Sequence, residues 1–203
     1  MPQHVESISG CAYAVDAQDR IAAVDGGWRQ FAMENDGEML IADRVLRRSL
    51  WDYIRGIENR LIYKRVLDHV RQSGESVAFD LRCDSPTLER HLRMEVALLP
   101  ENGCLFQTQL VRYEVREAVL LLSREAVRSL CSVAVCGWCM CVEVSGHWLP
   151  LPDAVQRLAD HHTPVWPNLA HTICPDCFAR LDALLTSSRL TWHRLDFGAD
   201  LRP

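Results

Sequence analysis

The chain has 203 residues, 48% hydrophobic and 24% charged, a balance that fits a folded globular protein and excludes a collagen-like, rod-like or disordered chain. Its 22 Lys and Arg against 27 Asp and Glu leave a formal net charge of −5, so no overall positive field favours a polyanion and nucleic-acid binding is not expected. Residues 1–20 lack a basic, apolar leader and no stretch approaches the ~18 apolar residues of a membrane span, so a cytoplasmic chain with no membrane partner is expected.

The first elements follow from alternation and turn residues. Ala12–Val15 and Ile21–Val24 read as a hairpin around Asp16, Gln18 and Asp19. Asp25-Gly26-Gly27 breaks the second strand, and Trp28, Phe31 and Ala32 at i, i+3, i+4 open a short helix that Asn35-Asp36-Gly37 stops. After an irregular stretch over 45–54, a helix is expected from Ile57 to Gln72. Tyr63, Val66, Leu67 and Val70 share one face of it, and Ser73-Gly74 ends it. Three strands come next, carrying Val77, Phe79, Leu81, Cys83, then Leu92, Met94, Val96, Leu98, then Cys104, Phe106, Thr108, Leu110 on single faces. That order suits an α+β fold, an antiparallel five-stranded sheet with helices on one face.

The Tyr13-Ala14-Val15-Asp16 hairpin, Trp28 with Phe31-Ala32 and Asn35, the Leu46 to Ile54 stretch, Val70-Arg71-x-x-Gly74 and the last three strands together resemble a PAS domain. The resemblance covers residues 11–116 and implies sensing or partner docking, with a pocket that in this family holds haem, flavin, a small metabolite or nothing. Trp28, Phe31, Trp51 and Tyr53 are pocket candidates, with core packing as the plainer alternative. His69 is the one histidine placed to ligate a haem, against an ordinary surface or packed role. The identity of any pocket ligand is left open.

Residues 117–130 read as a connector helix with Val119, Leu122, Ala126 and Leu130 near helical spacing. Beyond it lies the sharpest chemical signal. Of nine cysteines, six crowd the last third, and two pairs have knuckle spacing: Cys136-Gly137-Trp138-Cys139 and Cys174-Pro175-Asp176-Cys177. Two such pairs supply the four tetrahedral sulfurs that Zn2+ prefers, which leaves no open position for substrate and marks a structural site. The gap over 140–173 is too long for a compact ribbon, so it must contain structure: a turn at Gly146-His147-Trp148 and a short helix from Pro152. Cys141 and His171 stand as alternative donors or outer partners of the four.

The pattern C-x-W-C followed by His171-Thr172-Ile173-Cys174-Pro175-Asp176-Cys177 is similar to a cysteine-rich extension that follows PAS domains in bacterial signalling proteins, with Thr172 where that pattern has glycine. Arg157 and Arg180 face five acidic residues within 131–186, which disfavours phosphate binding. The tail, 187–203, carries Trp192, Leu195 and Phe197 with little regular pattern.

No phosphate loop, metalloprotease motif or nucleophile elbow is present. The expectation is a non-enzymatic cytoplasmic signalling protein, a sensor or adaptor with a structural zinc site that mediates homodimer formation or docking to a bacterial signalling protein. Its rivals are a cysteine-based metal or redox sensor and, behind that, a thiol oxidoreductase. The last is disfavoured because no Lys or Arg neighbours the first pair and that pair is not set in a strand-then-helix unit.

Overall fold

The computed structural model describes residues 10–28, 42–159 and 165–186. The chain opens with β1 (Ala12–Val15) and β2 (Ile21–Val24), joined at a turn where the Asp16 carboxylate accepts from the Gln18 and Arg20 backbone N–H groups at 2.9 and 2.8 Å. A carboxylate that satisfies two orphan donors is the ordinary way an Asx residue closes such a turn. After the short helix α1 (Ala42–Val45) and a single turn at Leu50–Asp52 comes α2 (Ile57–Ser73).

Helix α2 buries Ile62, Val66, Leu67 and Val70, each contributing about 1.5–3 kcal/mol of apolar burial. It ends where the sequence places its stop, at Gly74 (φ 74°), whose N–H returns to the Val70 carbonyl. Strands β3 (Val77–Arg82), β4 (Leu88–Leu98) and β5 (Cys104–Val115) complete a sheet of order β2-β1-β5-β4-β3, antiparallel throughout.

Strands β4 and β5 run further than alternation alone predicts. Their ladder continues past Leu92↔Leu110 through a bulge to Leu88↔Val115. Charged residues hide this part of the strand, because Glu89, Arg90 and His91 interrupt the apolar pattern. At its end Asp84, whose side chain is fully buried, pairs with Arg82 and Arg116, and Arg116 also donates to the Ser85 carbonyl at 2.8 Å.

The expected connector helix over 117–130 does not form. The segment holds one turn of 3-10 helix at Leu120–Leu122 and then enters β6 (Arg128–Cys136). Tertiary partners override the helical spacing. Val119 N–H bonds to the Pro86 carbonyl, Leu121 is the residue that is buried, and Leu130 is fully exposed on the strand. The Arg128 guanidinium binds the carbonyls of Leu121, Ser123 and Pro167 at 3.0, 2.6 and 2.7 Å, sewing the segment to the following strands.

The second sheet is built from β6, β7 (Val142–Val144), β8 (His147–Leu149) and β9 (Trp166–Thr172), in the order β8-β7-β6-β9. The β7–β8 hairpin turns on Ser145 (φ 53°) and Gly146 (φ 81°), the positive pair that a two-residue turn demands. Helix α3 (Leu151–Ala159) follows, and β9 pairs with β6 in parallel. The long gap between the cysteine pairs therefore holds a hairpin and a helix. Helix α4 (Pro175–Thr186) grows out of the second pair.

Leu121, Val135, Met140, Val142, Val144, Leu151 and Ala154 form a small core of their own. The other side of this region is not independent. Cys136, Trp138, Ile173, Cys174, Cys177 and Leu181 belong to the same buried cluster as Ile62, Val66, Val96 and Phe106 of the first sheet. Arg65 of α2 pairs with Asp182 of α4, and the Thr172 hydroxyl donates to Glu58. Among the described residues, no helix is long and apolar enough to cross a membrane. Phe31, the expected helix stop at Asn35-Asp36-Gly37 and the tail lie outside the described residues.

Candidate metal centre

The parallel pairing of β6 and β9 sets Cys136 beside Thr172, so both strands deliver their cysteines to one end of the sheet. In the first pair the chain reverses at once. Met140 takes φ 62°, its N–H reaches the Cys136 carbonyl at 2.9 Å, and the Cys136 N–H reaches the Cys141 carbonyl at 2.8 Å. Gly137 N–H bonds across to the Thr172 carbonyl. The second pair opens α4, with Pro175 as its first residue, where proline's fixed φ and missing N–H cost nothing. Cys174 acts as a cap, its sulfur accepting the Cys177 N–H at 3.4 Å.

The result is a group of four sulfurs, Cys136, Cys139, Cys174 and Cys177, all within 4.8 Å of one another. Cys139 and Cys174 sulfurs stand 3.7 Å apart, and the Cys136 sulfur accepts the Cys174 N–H at 3.3 Å. Three of the four residues are buried and Cys139 is half-buried. Four convergent thiols can hold one metal ion. Cys141 and His171, the alternative donors, fall outside the group.

Within the cluster the sulfurs are unequal. Hydrogen bonds from the Cys136 and Cys177 thiols hold the Cys139 thiol down to about 3, whereas the hydrogen bonds with Cys136 and Cys139, together with burial, push the Cys177 thiol far up; outside the group, burial pushes Cys141 up to about 12. The guanidinium of Arg180, one helical turn after Cys177, donates to the Cys177 sulfur at 2.9 Å. The sequence expectation of no neighbouring Lys or Arg concerns the first pair, whereas this cation belongs to the second. The spacing 177/180 on a helix was the signal. The second pair also sits between a strand and a helix N-terminus, the context found lacking around the first.

No protein-family model matches the chain, and no curated protein matches it.

A partly open cavity of about 270 Å³ lies against the first sheet, lined among the described residues by Tyr13, Trp28, Tyr63, Leu81, Leu92, Met94 and Leu110. Its polar margin holds the Cys11–Thr108 pair (3.0 Å between Sγ and Oγ1), Cys83 and the buried Arg90, whose Nε donates to the Cys83 carbonyl. Burial pushes the Cys11 and Cys83 thiols up, so both are neutral at pH 7. Of the pocket candidates among the described residues, Trp28 alone lines this space. The Trp51 indole instead donates to Asp19 at 3.0 Å and the Tyr53 hydroxyl to the Arg44 carbonyl at 3.4 Å, so both serve the loop over 42–54. His69 is half-buried on α2, away from the lining residues. Leu92, Met94 and Cys83 are legible as positions on single strand faces. Tyr13 and Tyr63 read in the sequence only as hairpin and helix-face residues, and Arg90 is in phase with Leu92 on a strand that extends further than alternation indicates.

Proposed function

We propose that this chain is a non-enzymatic signalling protein in which a PAS-like sensor or adaptor sheet is fused to a zinc-bound four-cysteine module, and that it acts by docking to a second copy or to a partner signalling protein. The convergence of four sulfurs within 4.8 Å carries the reading. Zinc is the metal assigned because a closed tetrahedral set of thiolates is its usual structural site, and such a site leaves no position for water or substrate. An antiparallel sheet with α2 packed on it and a cavity against it support the sensor part. Nine free thiols suit a reducing compartment, the cytoplasm. Exposed apolar side chains at the end of β5 and after it, Val111, Tyr113, Val115, Leu120, Val127 and Leu130, support docking.

Native mass spectrometry of gently purified protein tests this. One zinc per chain, in a dimer or complex, is the expected result. A metal-free chain lighter by the hydrogens of a disulfide overturns it.

One observation favours a second reading, in which the cysteines receive the signal themselves. Cys139 is the half-buried member of the four, and hydrogen bonds from Cys136 and Cys177 hold its thiol low, the condition that makes a thiolate reactive. Fast, reversible metal loss on mild oxidation would establish that reading over a permanent site.

A further inference from the structure

We propose that the cavity of the first sheet and the metal centre are thermodynamically coupled through Trp138 and Tyr63, so that an occupant of the cavity slows metal release and the metal tightens the cavity. The inference rests on reading the four cysteines as a metal site. Trp138 lies inside the first knuckle, between Cys136 and Cys139, and its backbone neighbours are fixed by the Gly137–Thr172 and Met140–Cys136 hydrogen bonds. Its side chain leaves the knuckle and enters the first sheet. It meets Phe79 at 4.8 Å and Tyr63 at 5.7 Å between ring centroids, and its indole N–H points at the Asn59 side-chain oxygen, 3.5 Å away.

Tyr63 is shared. One side of its ring backs onto Trp138, and the residue also lines the cavity. It continues through the buried Phe106 (6.1 Å) to Tyr13 (stacked on Phe106 at 4.6 Å) and Trp28 (5.3 Å from Tyr13), so the aromatic residues lining the cavity are joined, through a core ring, in one packed series ending at the knuckle. Burial pushes the Tyr63 hydroxyl up to about 12, as expected of a ring enclosed by its neighbours.

A bound cation holds the four sulfurs together. Without it, backbone hydrogen bonds still shape the knuckle but only weak sulfur hydrogen bonds join it to the second pair, and the Trp138 ring is held by packing and the bond to Asn59. Close-packed interiors transmit such a loss of backing to the next ring. Metal therefore rigidifies Tyr63, and a cavity occupant that presses on Tyr63 restrains Trp138. Linkage makes the two effects equal in free energy. The cavity is roomier than the apolar cavity of about 150 Å³ known to admit benzene, so benzene is a suitable probe.

The experiment uses the full zinc-loaded chain. Shifts of the Met94 methyl resonance report benzene in the cavity, and transfer of zinc to a chromophoric chelator is timed with and without saturating benzene. Benzene is expected to slow transfer about fivefold or more, the low end of measured allosteric coupling. It is expected to have no effect in Trp138→Leu, which keeps all four sulfurs. If Trp138→Leu does not fold, Tyr63→Leu interrupts the same path. Benzene that shifts Met94 but leaves the transfer rate unchanged overturns the coupling, as does zinc-loaded protein that binds no benzene. A chain that takes up no stoichiometric zinc at the outset instead defeats the metal reading itself.

Discussion

Trp138 stands 4.8 Å, ring centroid to ring centroid, from Phe79, so the residue between the first two cysteines is part of the core of the five-stranded sheet. Through this contact the cysteine region and the first sheet share one buried cluster. That also changes what loss of a cysteine should do.

Cys136→Ser is expected to abolish stoichiometric metal binding and to lower the stability of the whole chain. Metal binding at structural sites contributes on the order of 10 kcal/mol, and Cys136 sits in the shared core. Metal analysis with thermal unfolding followed at several probes checks this. An unfolding step confined to residues 128–186, with the first sheet melting as in the parent, would contradict it.

Trp138→Ala tests the shared core without touching a sulfur. Truncating a buried tryptophan is expected to cost about 3–5 kcal/mol. Urea denaturation of metal-loaded protein gives the number, and a loss under ~1 kcal/mol would show that the ring is dispensable packing.

The turn between β3 and β4 predicts an acid sensitivity. Burial pushes the Glu89 carboxyl up, but the hydrogen bond from His91 and the charges of Arg82 and Arg116 outweigh it and hold the group below the usual carboxylate range. A carboxyl with a depressed folded pKa stabilises the fold above its unfolded pKa and loses that contribution as pH falls through the folded one. Glu89→Gln should therefore narrow the stability gap between neutral pH and the acid side of the carboxylate range. An unchanged pH profile of unfolding would rule this out. Asp84→Ala at the same turn leaves Arg82 and Arg116 facing each other and should cost about 3–5 kcal/mol.

Arg180→Leu removes the donor to Cys177 while leaving the four sulfurs in place. Loss of such an outer partner typically weakens metal binding 10–100-fold. Competition with a chelator should show a fall of at least about tenfold. Equal affinity would mean that the guanidinium only packs against the sulfur.

The sequence made the four-cysteine group legible because each pair is a local unit. Two cysteines three residues apart turn toward one point whatever surrounds them, and their spacing survives any placement of the knuckle. Strand alternation in 77–82 and 104–110 and the Gly74 stop of α2 are local in the same way. The segment 117–130 misled because Val119, Leu122, Ala126 and Leu130 mimic a helix, while the hydrogen bonds from Val119 and Arg128 to Pro86 and Pro167 outweigh propensity. The cavity lining was half hidden by charge, since Arg90 broke an apolar pattern that the strand itself continues.

By itself, then, the sequence determined the strands around 12–24, 77–82, 92–98 and 104–110 and which four sulfurs belong together, because those depend on spacing over a few residues. Only the tertiary structure decided that Trp138 backs onto Tyr63 and Phe79, and that Trp51 and Tyr53 turn away from the cavity. It also decided that the cysteine region completes the core of the first sheet. Those outcomes join positions as far apart as Asn59 and Trp138, 79 residues in sequence, where no local periodicity carries information and packing alone selects the partner.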